Sequence, residues 1–148
     1  MKNLFASLLL CFCILAAKAQ VSATMPGMAT PWKPTELMEP GELNYVILQK
    51  KAPVIINAGT VEDIKGAIHI GSINEAANLE KLKTTVAKYA KNTEIVVYCG
   101  CCPFGKCPNI RPAYKTLKDM GYTNIKVLNL YVNLRNNWTS AGYPLEKD

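Results

Sequence analysis

Residues 94–112 read EIVVYCGCCPFGKCPNIRP, and the run changes character at its sixth position. Ile95 to Tyr98 is β-branched or aromatic at every place, apolar at odd and even positions alike. Such a segment suits a strand covered on both faces, as a central strand of a parallel sheet is. Four cysteines then crowd into nine residues, Cys99, Cys101, Cys102 and Cys107, before Pro112 marks the first turn of a helix. Strand, loop and helix in this order place the cysteines beyond the carboxyl end of a strand, where open α/β sheets bind their ligands.

The flanking sequence continues the alternation. PVIINA (53–58), GAIHIG (66–71) and IKVLNL (125–130) are short, apolar and strand-like. Between them lie helical patterns. Pro40 opens one whose apolar face takes Leu43, Val46, Ile47 and Leu48, and Asn78 is placed to cap a second carrying Leu79, Leu82, Val86 and Tyr89. The helix after Pro112 turns Leu117 and Met120 inward and stops at Gly121; a last one is expected from Leu134 to Ala141, closed by Gly142. The expected fold is a single α/β domain, with a mostly parallel central sheet of four or five strands and helices on both faces.

The start of the chain reads as an address. Residues 1–19 carry Lys2, an apolar run from Leu4 to Ala17 and a small-x-small end at Ala17-Lys18-Ala19, the layout of a cleaved secretory signal peptide. The apolar run is shorter than the roughly 20 residues a membrane span needs, so the mature form is expected to be secreted or periplasmic with no membrane attachment. Residues 20–34, rich in Pro, Gly, Ser and Thr, read as a flexible tether, with Met25 and Met28 given no role; the domain then runs over 35–148. Losing Lys2 and Lys18 lowers the net charge from +6 to +4, and the remaining lysines are scattered, which argues against a nucleic-acid groove. Two of the six cysteines, Cys11 and Cys13, lie in the signal. The other four are too close together to staple distant segments, so they serve a local site or pair with one another.

A thiol is a good nucleophile only as its thiolate, and an unperturbed pKa of about 8.5 leaves few thiolates at neutral pH. The start of the following helix, with its free N–H groups, and the charges of Arg111 and Lys106 favour the anion and would also attract an anionic substrate. His69, the lone histidine, sits in an apolar run and reads as structural rather than as a base for a cysteine.

From about Thr35 to Pro144 the order of elements resembles a rhodanese-like domain. The pieces are IVVYC (95–99), Arg111 after the loop, MGYTNIKVL (120–128) and the ending WTSAGYP (138–144), with PVIINAGTVEDIKGAIHIG (53–71) as the early strand region. The family usually places four residues between its cysteine and arginine; here residues 100–110 make an enlarged, cysteine-rich loop. The resemblance implies a sulfurtransferase, in which a cysteine takes sulfane sulfur from thiosulfate or a persulfide and passes it to a thiol acceptor. By its place at the strand end that cysteine is Cys99; counted back from Arg111 it is Cys107. Arg111, the Gly100 amide and Lys106 would bind the small anionic donor, and Cys101 and Cys102 would resolve the persulfide or relay sulfur onward. Neither a cofactor nor a metal is expected on this reading. The alternative is a non-catalytic module of the same fold whose clustered cysteines bind a metal or form a redox-active disulfide.

Overall fold

The computed structural model describes residues 31–146, so the signal, most of the tether and Met25 and Met28 lie outside the described residues. Five strands form one all-parallel sheet: β1 (Leu37–Met38), β2 (Val54–Asn57), β3 (Ala67–His69), β4 (Ile95–Tyr98) and β5 (Ile125–Leu128). Their spatial order is β1-β5-β4-β2-β3, with β4 in the centre. Four helices complete the domain: α1 (Pro40–Leu48), α2 (Ala76–Val86), α3 (Ile110–Asp119) and α4 (Leu134–Asn137).

The uninterrupted apolar run of β4 follows from burial on both faces. Ile95 and Val97 belong to a core shared with Leu82 and Val86 of α2 and Ala113 and Leu117 of α3. Val96 and Tyr98 belong to the opposite core, with Leu43 of α1, Leu134 of α4 and Trp138. All four β4 side chains are fully buried, and each such burial is worth about 1.5–3 kcal/mol. Tyr98 also ties down the connection after β2: its hydroxyl donates to the Glu62 carbonyl at 3.2 Å and accepts the Ile64 N–H at 2.9 Å. The WTSAGYP ending closes on itself, with Trp138 Nε1 donating to the Pro144 carbonyl at 3.0 Å and its ring edge-on to Tyr143.

The structure differs from the sequence expectations at four places. The two-residue strand β1 was not anticipated, since two residues carry no periodicity. Helix α2 begins at Ala76 after Glu75, so Asn78 lies inside its first turn instead of capping it. Its amide donates instead to the Ser72 carbonyl at 3.0 Å and bonds Glu75 Oε2, pinning the turn ahead of the helix. Leu48, expected on the buried face of α1, is exposed at the helix end. The last helix breaks at Trp138 into α4 and a 3-10 turn (Thr139–Ala141), which Gly142 ends with φ +73° as expected. Pro112 does lie in the first turn of α3, two residues beyond its start.

Candidate active site: a nest of thiols at the end of the central strand

Cys99 is the first residue after β4 and is 0% exposed. The chain can turn there because Gly100 adopts φ +76°, and because a Cβ at Gly100 would meet Leu134 Cβ at 2.8 Å and Val61 Cγ2 at 2.9 Å. The Gly100 carbonyl accepts the Leu134 N–H at 2.8 Å, tying the loop to the first residue of α4. Gly100 is thus explained by the turn it makes. A 3-10 turn (Phe104–Lys106) then folds the loop back. Phe104 is buried, packs edge-on against Tyr131, and its N–H reaches the Leu130 carbonyl at 3.0 Å. This brings Cys107, 1% exposed, under the start of α3.

The loop gathers sulfur. Cys99, Cys101 and Cys107 place their Sγ atoms all within 4.8 Å of one another, and none is in a disulfide. Cys99 and Cys101 sulfurs are 3.3 Å apart, and Cys101 and Cys102 sulfurs 3.4 Å apart. Cys102 lies outside the three-sulfur group. Cys99 and Cys107 are buried, while Cys101 is exposed and stands at the mouth. Phe104, Ile110 and Val127 pack with the two buried thiols as an apolar wall.

Several donors converge on Cys99. The Cys107 thiol is the largest influence holding its pKa well below the ordinary thiol range, at about 5; burial opposes this, and the Asn109 side chain, the Cys101 amide and the Cys101 thiol reinforce it. Asn109 Nδ2 donates to Cys99 Sγ at 3.4 Å, and its orientation is set by Ser72, whose hydroxyl donates to Asn109 Oδ1 at 3.1 Å. Cys107 is pushed the other way, mainly because it donates to Cys99, although the Asn109 and Ile110 amides bond its sulfur. Burial and both neighbouring thiols push Cys101 up to about 12. These opposed shifts centre the negative charge of the nest on Cys99. The Asn109 and Ile110 amides at the start of α3 bond Cys107, which in turn bonds Cys99.

Two further residues shape the site, and neither was singled out from the sequence. Asn109 precedes α3 but makes no side-chain cap bond, its amide being turned to sulfur. Gly59, after β2, lies so close that a Cβ there would fall 2.5 Å from the Cys99 carbonyl oxygen and 2.7 Å from its Sγ. Arg111 is exposed and donates to the Gly105 carbonyl at 3.2 Å, bridging the loop to the helix start. Lys106 is exposed on the 3-10 turn. His69 is engaged at the sheet edge with Asp63 Oδ1 (3.0 Å) and Asn57 Nδ2 (3.3 Å), in keeping with a structural role.

A parallel five-stranded sheet with a thiol site at the carboxyl end of its central strand defines the class of protein. A family model of the rhodanese-like domain matches residues 47–130, and the chain belongs to that family. Two solved structures share the fold. The BH2092 protein of Bacillus halodurans is 16% identical with a TM-score of 0.58, over 76% of this chain and 77% of that one. The rhodanese-like domain of the Alr3790 protein of Anabaena sp. is 18% identical with a TM-score of 0.53, over 76% and 80%. No curated protein matches the chain.

Proposed function

We propose that this rhodanese-like domain is a sulfurtransferase that carries sulfane sulfur on Cys99. The observation that bears most weight is the set of donors on one sulfur: Cys107, Asn109 and the Cys101 amide hold Cys99 as a thiolate at neutral pH. Attack of that thiolate on the outer sulfur of thiosulfate forms the Cys99 S–S bond, breaks the S–S bond of the donor and releases sulfite with the electron pair. The resulting persulfide is anionic and inherits the same donors. A thiolate acceptor then attacks the terminal sulfur, leaves with it and regenerates the Cys99 thiolate, so no net oxidation occurs.

Cys99 is buried, and the exposed Cys101 stands 3.3 Å from it, sulfur to sulfur. The exposed Cys101 is the thiol best placed to receive the sulfur first, with Cys102 beside it for onward relay. Arg111 and Lys106, exposed on the loop and its edge, draw the small anionic donor toward the mouth. The layout of residues 1–19 supports an exported, periplasmic or secreted setting; N-terminal sequencing of the mature protein should then begin at Gln20.

The test is sulfite release from thiosulfate in the presence of a small thiol. Cys99→Ser should abolish both sulfite release and acceptor persulfide. Cys101→Ala should retain a single-turnover burst of sulfite and slow the second step. Wild-type protein that releases no sulfite, and takes no sulfur from a persulfide donor either, would defeat the proposal.

A further inference from the structure

We propose that Cys99, Cys101 and Cys107 also form a binding site for a single monovalent copper ion, held by three sulfurs. This goes beyond sulfur transfer and rests on the geometry of the nest, not on that activity.

Three features point to a soft ion of low coordination number. First, the three sulfurs converge without being joined: all lie within 4.8 Å of one another, and the Cys99–Cys101 pair is 3.3 Å apart. A metal–thiolate bond of about 2.3 Å in a planar three-sulfur site calls for sulfur–sulfur distances of about 4.0 Å. The Cys99–Cys101 pair would open from 3.3 Å by about 0.7 Å to reach it, and no pair in the nest is further apart than 4.8 Å. Second, the donor set is sulfur alone. Among the described residues no histidine or carboxylate joins the group, and His69 is engaged with Asp63 and Asn57. Thiolate ligands without nitrogen or oxygen select soft ions. Third, the site offers three ligands and an apolar wall of Phe104, Ile110 and Val127. Structural zinc sites are almost always closed with four ligands. Cys102, the remaining thiol of the loop, stands outside the group. A singly charged ion content with three sulfurs matches this chemistry better than a divalent one.

The exposed Cys101 gives the ion a way in, and the buried pair shields it once bound. Binding replaces S–H bonds by metal–sulfur bonds and releases their protons, with no change in oxidation state.

The test uses the reduced, metal-free protein under anaerobic conditions, before any contact with a sulfur donor, so that its outcome is independent of sulfur transfer. Copper(I) is supplied from a chromophoric chelator. The protein should withdraw one equivalent and show three sulfur neighbours by X-ray absorption. Cys99→Ser, Cys101→Ser and Cys107→Ser should each weaken binding by about tenfold or more, since even second-shell changes cost that much. Cys102→Ser should bind as the wild type does. Failure to compete with the chelator, a stoichiometry of two or more, equal loss in Cys102→Ser, or retention of zinc(II) in preference to copper(I) would each overturn the proposal.

Discussion

Replacing Cys107 by alanine and by serine probes what makes Cys99 acidic. The Cys107 thiol is the leading cause of that acidity, and the two sulfurs share a buried nest. Alanine removes the donor; serine keeps an O–H in its place. A hydrogen bond to a charged group contributes about 1.5–3 kcal/mol, which at 1.36 kcal/mol per pKa unit is roughly one to two units. Cys107→Ala should therefore move Cys99 from about 5 to between about 6 and 7, whereas Cys107→Ser should leave it near its wild-type value. Thiolate ultraviolet absorbance followed against pH reads this directly, with Cys99→Ser as the blank. The sign carries over to stability. Cys99 is more acidic folded than unfolded, so its thiolate stabilises the fold fully above the unfolded thiol range. That contribution declines as pH falls toward about 5. Between about pH 5 and 8, where Cys107 keeps its proton in both states, Cys107→Ala should flatten this slope and serine should preserve it. An unchanged titration in Cys107→Ala would refute the donor role of Cys107 and shift the cause to Asn109 and the Cys101 amide.

Other outcomes follow from the same geometry. Gly59→Ala would place a Cβ 2.7 Å from Cys99 Sγ and 2.5 Å from its carbonyl oxygen. Denaturant titration should show a loss of about 1–3 kcal/mol, together with altered Cys99 reactivity. Gly121→Ala, with no atom within 4 Å of the new Cβ but φ +87°, should cost about 1–2 kcal/mol and leave the thiol untouched. Arg111→Ala removes an exposed charge that donates to the Gly105 carbonyl. An exposed charge contributes no more than roughly 1 kcal/mol, so donor KM should rise by up to about fivefold with little change in kcat.

The centre of the sheet was readable because its cause is local. A four-residue segment buried on both faces must be apolar throughout, and Ile95–Tyr98 is. The place of Cys99 followed from it, as did Pro112 in the first turn of α3. The edge of the sheet was not readable, because β1 is two residues long and owes its existence to pairing with β5. Asn78 misled because an amide side chain that caps a helix can equally bond the turn before it, as this one does through the Ser72 carbonyl. Asn109 did carry a signal, an asparagine directly ahead of a helix in a cysteine loop. Its target was hidden, since the amide turns to a sulfur ten residues back. Gly59 carried none: its closeness to Cys99 arises from two neighbouring parallel strands and involves residues forty positions apart. The loop sequence likewise announced four clustered thiols, but only folding separates the three that converge from Cys102.

The account rests on Cys99 as the sulfur carrier, and mass spectrometry after incubation with thiosulfate tests that most directly. Reduced protein should gain the mass of one sulfur atom, lose it on addition of a thiol, and yield a peptide map with the sulfur on Cys99. Sulfur mapped to Cys107 would contradict the residue assignment, and no added sulfur from thiosulfate or a persulfide donor would contradict the function itself.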